Sequence, residues 1–291
     1  MRAHDLALQN FSIAEHLLQL HQLFRDLKGH EAGQPLSLAV CECLEIPPGS
    51  ALQHAKNSHV LLSARSAIPV PSCLTAQAGL DFLLRQAVLV SCSALESFFW
   101  DVLRENALTV VKAKGRKSDD SLKNITLTLD DYLSLQSYTD PDERLSEIIL
   151  KRFERGTLYD MDKLDEIAGI LTVSSKEFWK EVAKTTGQTE GETKTRLTAL
   201  VARRNQITHR ADRPEAGTPP ADCDAHGLRP ITYAWVSTHV TSAKALVDAS
   251  TAIFATAVTK LEGIIAQQEE QRLAQKTLSP APPAQPARAA P

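Results

Sequence analysis

An all-α bundle is the fold that this 291-residue sequence predicts. Two long stretches, 77–112 and 232–270, repeat their large apolar residues at three- and four-residue steps, the period of a helix face. No segment alternates apolar and polar residues with the regularity of a half-buried strand. No glycine-rich phosphate loop and no repeat at solenoid spacing breaks the pattern. Helices of this kind bury their stripes by packing on one another.

Residues 11–28 place Phe11, Leu17, Leu18, Leu20, Phe24 and Leu27 at near-helical spacing, and Gly29 stops the segment. The stretch 34–75 carries breakers at Pro47, Pro48, Pro69 and Pro71, with a short helix expected near 51–66. Residues 1–75 are therefore expected to form a helical N-terminal extension. Between Gln77 and Lys112, Leu80, Leu84, Ala87, Val88, Leu95, Phe98, Phe99 and Val102 give the strongest periodicity, as befits a central rod. The basic run that follows, 112–117, suits the negative end of that helix dipole. Shorter helices are expected at about 143–154, 160–171 and 175–185 by the same periodic reading.

Thr189-Glu190-Gly191-Glu192 is a capping-box pattern, so a helix begins there and runs through 199–212. Residues 213–230 are rich in Pro and Gly and read as a loop. A final helix spans 232–270, and the Pro/Ala-rich tail 271–291 is disordered by composition. The expected domain of the bundle is thus 76–270.

Composition narrows the function. Hydrophobic content of 43% and charged content of 23% are those of a globular protein. A formal charge of −3 gives no whole-molecule attraction to nucleic acid, so any such attraction is local. Cys41, Cys43, Cys73, Cys92 and Cys223 include no C-x-x-C pair, and no secretory leader is visible, so reduced thiols in a cytoplasmic protein are expected. Cys41-x-Cys43 has no second pair to complete a zinc site, and neither metal nor cofactor is expected. No unbroken apolar run reaches the ~20 residues of a membrane span, so no membrane partner is expected either.

The local field is found at 193–213, where Lys194, Arg196, Arg203, Arg204, Arg210 and Arg213 face a single acid, Asp212. At 100° per residue, Asn205 and His209 fall about 40° apart on one face, whereas Arg204 lies about 140° from His209. A histidine moves a proton near neutral pH, a guanidinium matches two phosphate oxygens, and an amide can orient either. That kit suffices for metal-independent RNA cleavage, in which a 2′-hydroxyl attacks its own phosphate. Such chemistry needs an acid as well as a base, and a two-fold dimer would supply the second histidine. On spacing alone, a solvated polar helix face is the plainer reading.

"RRNQITHRADR" resembles the signature of HEPN domains of the RiboL-PSP-HEPN type, with Arg204, Asn205 and His209 at the arginine, polar and histidine positions. The similarity extends upstream to 83–106, where Glu96 matches an acidic residue of the family's long first helix, through "SKEFWKEVAKTTG", and downstream to "RPITYAWVSTHVTSAKALVDA". The resemblance implies a helical bundle that dimerises and cleaves RNA without a metal, as a toxin or antiviral effector, with an antitoxin or sensor as a further partner. Ala211 stands where some members carry a tyrosine modified by an antitoxin, so that form of neutralisation is not implied here.

Catalysis is accordingly expected from Arg204, Asn205 and His209, with Arg203, Arg210 and Glu96 in support. A non-catalytic module binding RNA or a nucleotide, and a purely structural bundle, are the competing readings. Arg85 reads as a solvated or structural charge, and Trp100, Trp179 and Trp235 as core residues. Tyr233 is the aromatic placed best for RNA contact, and His226 could be drawn into a site by loop closure.

Overall fold

The computed structural model describes residues 2–27, 52–54, 61–63, 77–118, 122, 125–151, 161–215, 222–224 and 227–278. Among them are eight α-helices: α1 (Arg2–Leu27), α2 (Gln77–Lys114), α3 (Leu129–Ser137), α4 (Pro141–Lys151), α5 (Met161–Ile170), α6 (Ser175–Thr186), α7 (Glu190–Arg210) and α8 (Tyr233–Leu278). One antiparallel hairpin pairs β1 (Leu52–His54) with β2 (Leu61–Ser63), Leu52 opposite Ser63. The architecture is a helical bundle, as the periodicity predicts.

The hairpin replaces the short helix expected near 51–66. Periodicity cannot tell a strand from a helix over so short an apolar run as Val60–Leu62, and here backbone pairing prevails. Two boundaries also move. The first helix begins at Arg2 because Ala3, Ala7, Phe11, Ala14 and Leu18 form its buried stripe, half of it too small to register as hydrophobic periodicity. The last helix runs on to Leu278 rather than ending near 270. Helix α3 was not anticipated, since it buries no residue and has no apolar stripe to read. Its signal is a Thr128–Asp131 capping box, with aspartate in the place of the usual glutamate.

Helix α2 is the axis. Leu84, Ala87, Val88, Leu95, Phe98, Phe99, Val102 and Leu103 on it are inaccessible to solvent. Along it pack α1, α7 and α8, while α6 bridges α7 and α8. The aromatic centre joins three helices: Phe99 meets Phe254 edge-on at 6.5 Å, and Phe178 stacks on Phe254 at 5.6 Å. Trp179 is fully buried, and its indole Nε1–H donates to Asp165 Oδ1 at 2.6 Å, which pins α6 to α5.

Two segments, Leu80–Lys114 and Tyr233–Gln275, are long and apolar enough to cross a membrane by length and composition, each reaching a mean hydropathy of 1.3 over its most apolar window. Scattered polar residues interrupt both, so neither holds an unbroken apolar run of that length. Both helices carry core residues of the bundle, as the interior rods of a helical protein do.

The α5–α6 turn holds one strained residue. Thr172 donates to Gly169 O at 2.9 Å and Val173 to Ala168 O at 2.8 Å, closing the helix end with Thr172 at φ 66°. A β-branched residue in the left-handed region costs roughly 1–2 kcal/mol. Thr172→Gly removes that strain, offset in part by the greater entropy glycine lends the unfolded chain, so a net stabilisation of about 0.5–1 kcal/mol is expected, read as a higher thermal midpoint.

Candidate active site

Helix α7 starts where the sequence predicts. Thr189 Oγ1 accepts from Glu192 N–H at 3.2 Å, and Thr189 N–H donates to Glu192 Oε2 at 2.8 Å. Donation to that carboxylate from the Thr189 backbone first, and from its hydroxyl at 2.8 Å second, holds the Glu192 carboxyl below the usual range. A carboxylate lowered in the folded state contributes stability that is present above its unfolded pKa and lost as pH falls through the folded value. Thr189→Ala is expected to cost about 1 kcal/mol, as N-caps do, with the cost shrinking in acid, measured by urea unfolding at two pH values.

Leu197 and Leu200 anchor α7 in the core, leaving 203–210 at the rim. The helix ends in two consecutive left-handed residues, neither of them glycine: Ala211 at φ 50° and Asp212 at φ 60°. Both backbone N–H groups turn back to Gln206 O, that of Asp212 at 3.1 Å. Such a turn persists only where its surroundings over-determine it.

Here they do. The fully buried Asp212 accepts at Oδ2 from Arg85 Nε at 2.6 Å and from Arg203 Nη2 at 2.7 Å. Its carbonyl accepts from Arg229 N–H at 2.9 Å. Arg85, itself buried on α2, also donates through Nη2 to Asp224 Oδ2 and to Arg229 O, both at 2.9 Å. Asp224 Oδ1 in turn accepts from Leu228 N–H at 2.8 Å. Two guanidiniums and two carboxylates thus balance in a protected cluster that ties α2, the end of α7 and the following loop together.

Arg203 is placed differently from the expectation of a phosphate contact. Its Nη2 donates to Asp212 and to the carbonyls of Arg229 and Pro230, at 2.9 and 3.2 Å, and its side chain is only 15% exposed. Burial pulls its guanidinium pKa down, against the opposing charge of Asp212. Arg204 is half-buried. It donates to Asn205 Oδ1 at 3.1 Å, and its charge bears on the thiol of Cys92. Glu96, one turn along α2 from Cys92, bears on the same thiol, which burial pushes up to about 12. Arg204 and Glu96, on two different helices, thus act on that thiol in opposite directions.

Asn205 and His209 are exposed. His209 lines an open groove with Arg210, Arg213, Pro214 and Glu215. Within one chain Arg204 and His209 thus serve different neighbourhoods, in keeping with their wide separation around the helix.

A family model describing RiboL-PSP-HEPN domains matches residues 62–249, more than half of the sequence. The chain belongs to the RiboL-PSP-HEPN family. No curated protein and no solved structure matches it. HEPN domains typically act as ribonucleases or bind nucleotides. The HEPN match spans the axis helix, the charged cluster and the groove. It stops short of α1, although Ala3, Ala7, Phe11 and Ala14 share the same core.

Other candidates fall away from the HEPN groove. His239 is buried on α8, its Nδ1 2.6 Å from Trp235 O and its ring stacked on Trp235, and burial lowers its pKa. Tyr233 is half-buried and stacks on His21 at 6.0 Å. His226, Cys41, Cys43 and Cys73 lie outside the described residues, while Cys92 is buried and Cys223 half-buried. What sequence reasoning missed is the cluster of Arg85, Asp212 and Asp224. Its signal was an arginine set among Leu84, Ala87 and Val88, a place that demands a paired charge.

Proposed function

We propose that this HEPN protein is a metal-independent endoribonuclease acting as a homodimer, in the service of a toxin or antiviral system inside the cell. The observation that carries this reading is the exposed His209 in a groove that also presents Arg210 and Arg213, on the helix that carries Arg204 and Asn205. His209 takes the proton from a ribose 2′-hydroxyl, and the resulting oxyanion attacks the adjacent phosphorus. Arg204 neutralises charge gathering on the non-bridging oxygens, and Asn205 orients it through their hydrogen bond. The P–O5′ bond breaks, and the departing 5′-oxygen takes a proton from the second copy's histidine. The products are a 2′,3′-cyclic phosphate and a 5′-hydroxyl.

The division of Arg204 and His209 between two neighbourhoods of one chain supports a site completed by a second copy. The test incubates the wild-type chain with total cellular RNA in EDTA and maps the new ends. Cyclic phosphates establish the chemistry, whereas intact RNA alongside binding that Arg204→Ala abolishes points to a non-catalytic HEPN module. One histidine in the groove of a single chain favours that second reading if the protein sediments as a monomer at micromolar concentration.

A further inference from the structure

We propose that Arg85, Asp212 and Arg203 form a positioning device that fixes the last turn of α7 and so aims His209, an inference that rests on the ribonuclease reading for its effect on rate. Asp212 lies three residues beyond His209, and the chain between them passes through the left-handed Ala211. Left to itself that turn would relax, because neither residue is glycine. The structure holds it from three sides. Arg85 reaches it from α2, Arg203 from the preceding turn of α7, and the Arg229 backbone from the far side of the loop.

The arrangement is more specific than a salt bridge added for stability. Both guanidiniums converge on one oxygen, Asp212 Oδ2, one from α2 and one from α7, so the residue after the helix end is held where two helices meet. Arg85 extends the same hold to the opposite wall, since its Nη2 meets both Asp224 and Arg229 O. Arg203 and Arg229, which face this cluster, also line the neighbouring cleft beside Pro214 and Glu215, two residues shared with the His209 groove. The cluster and the groove therefore share a wall.

The test uses the full chain with isotope-labelled histidine, the His209 ring signal being identified by its loss in His209→Ala. Asp212→Asn and Arg85→Lys are each checked for folding by circular dichroism. In folded Asp212→Asn, kcat is expected to fall about ten- to a hundredfold with KM nearly unchanged, since small misplacements of a reacting group cost rate rather than binding. The His209 ring signals and their pH titration move with it. Arg85→Lys keeps the charge but cannot bridge Asp212 and Asp224 at once, so it shows a smaller loss of the same kind. Should Asp212→Asn fail to fold, Arg85→Lys carries the same two readings. Folded variants whose kcat and His209 titration both match wild type overturn the proposal while the nuclease reading stands. A wild type that cleaves no RNA overturns the nuclease reading instead. The His209 signal then decides the positioning claim alone: unmoved in the folded variants, it sinks the claim, and displaced, it upholds it.

Discussion

RNA cleavage by His209→Ala is expected to fall at least about a thousandfold below wild type, with thermal stability unchanged. A positioned general acid or base contributes about 10²–10⁴ in rate. In a two-fold site this one substitution removes both proton carriers, since each copy lends the same residue. Its side chain is exposed and no buried group depends on it, so the fold has nothing to lose. Measurement of kcat and KM on a defined RNA, beside a melting curve, separates the two effects. A comparable kcat in the variant would remove His209 from the chemistry. Loss of cleavage together with loss of RNA binding would make it a contact rather than a proton carrier.

The second large effect concerns stability. Arg85→Ala is expected to cost about 3–5 kcal/mol, because it leaves two protected carboxylates, Asp212 and Asp224, without their shared cation. That is a large share of the ~5–15 kcal/mol by which a domain is stable. Arg203→Ala removes a partner of Asp212 alone and from a more exposed place, so its cost is smaller. Urea unfolding of the two variants side by side reads the order directly. Equal midpoints for Arg85→Ala and wild type would mean that water, rather than Arg85, satisfies the two acids.

Much of this was legible in the sequence, and the gaps have physical causes. Large apolar residues at helical spacing announce α2 and α8, and the Thr189–Glu192 pattern fixes the start of the motif helix to the residue. Where a helix buries small residues, as α1 does through Ala3, Ala7 and Ala14, or buries nothing, as with α3, periodicity has no contrast to detect. The exposed residues of the motif, Asn205 and His209, follow from local spacing. The division of labour between the adjacent Arg203 and Arg204 does not. It depends on Asp212, which meets Arg203 only once the turn after α7 has formed, and on Arg85, Asp224 and Arg229, which only the tertiary fold brings there.

The charged cluster also has a consequence for the order in which the molecule comes into being. Its bonds join residues 127, 139 and 144 positions apart in the chain. Closing such distances is an entropic cost that only the assembled bundle repays, so contacts of this kind form late in folding. On the ribosome, the motif helix emerges well before Arg229 does. A nascent chain therefore carries Arg204 and His209 before the loop residue that braces the end of their helix has been made. The brace that fixes the end of the motif helix is thus a property of the whole chain and not of any one stretch of it.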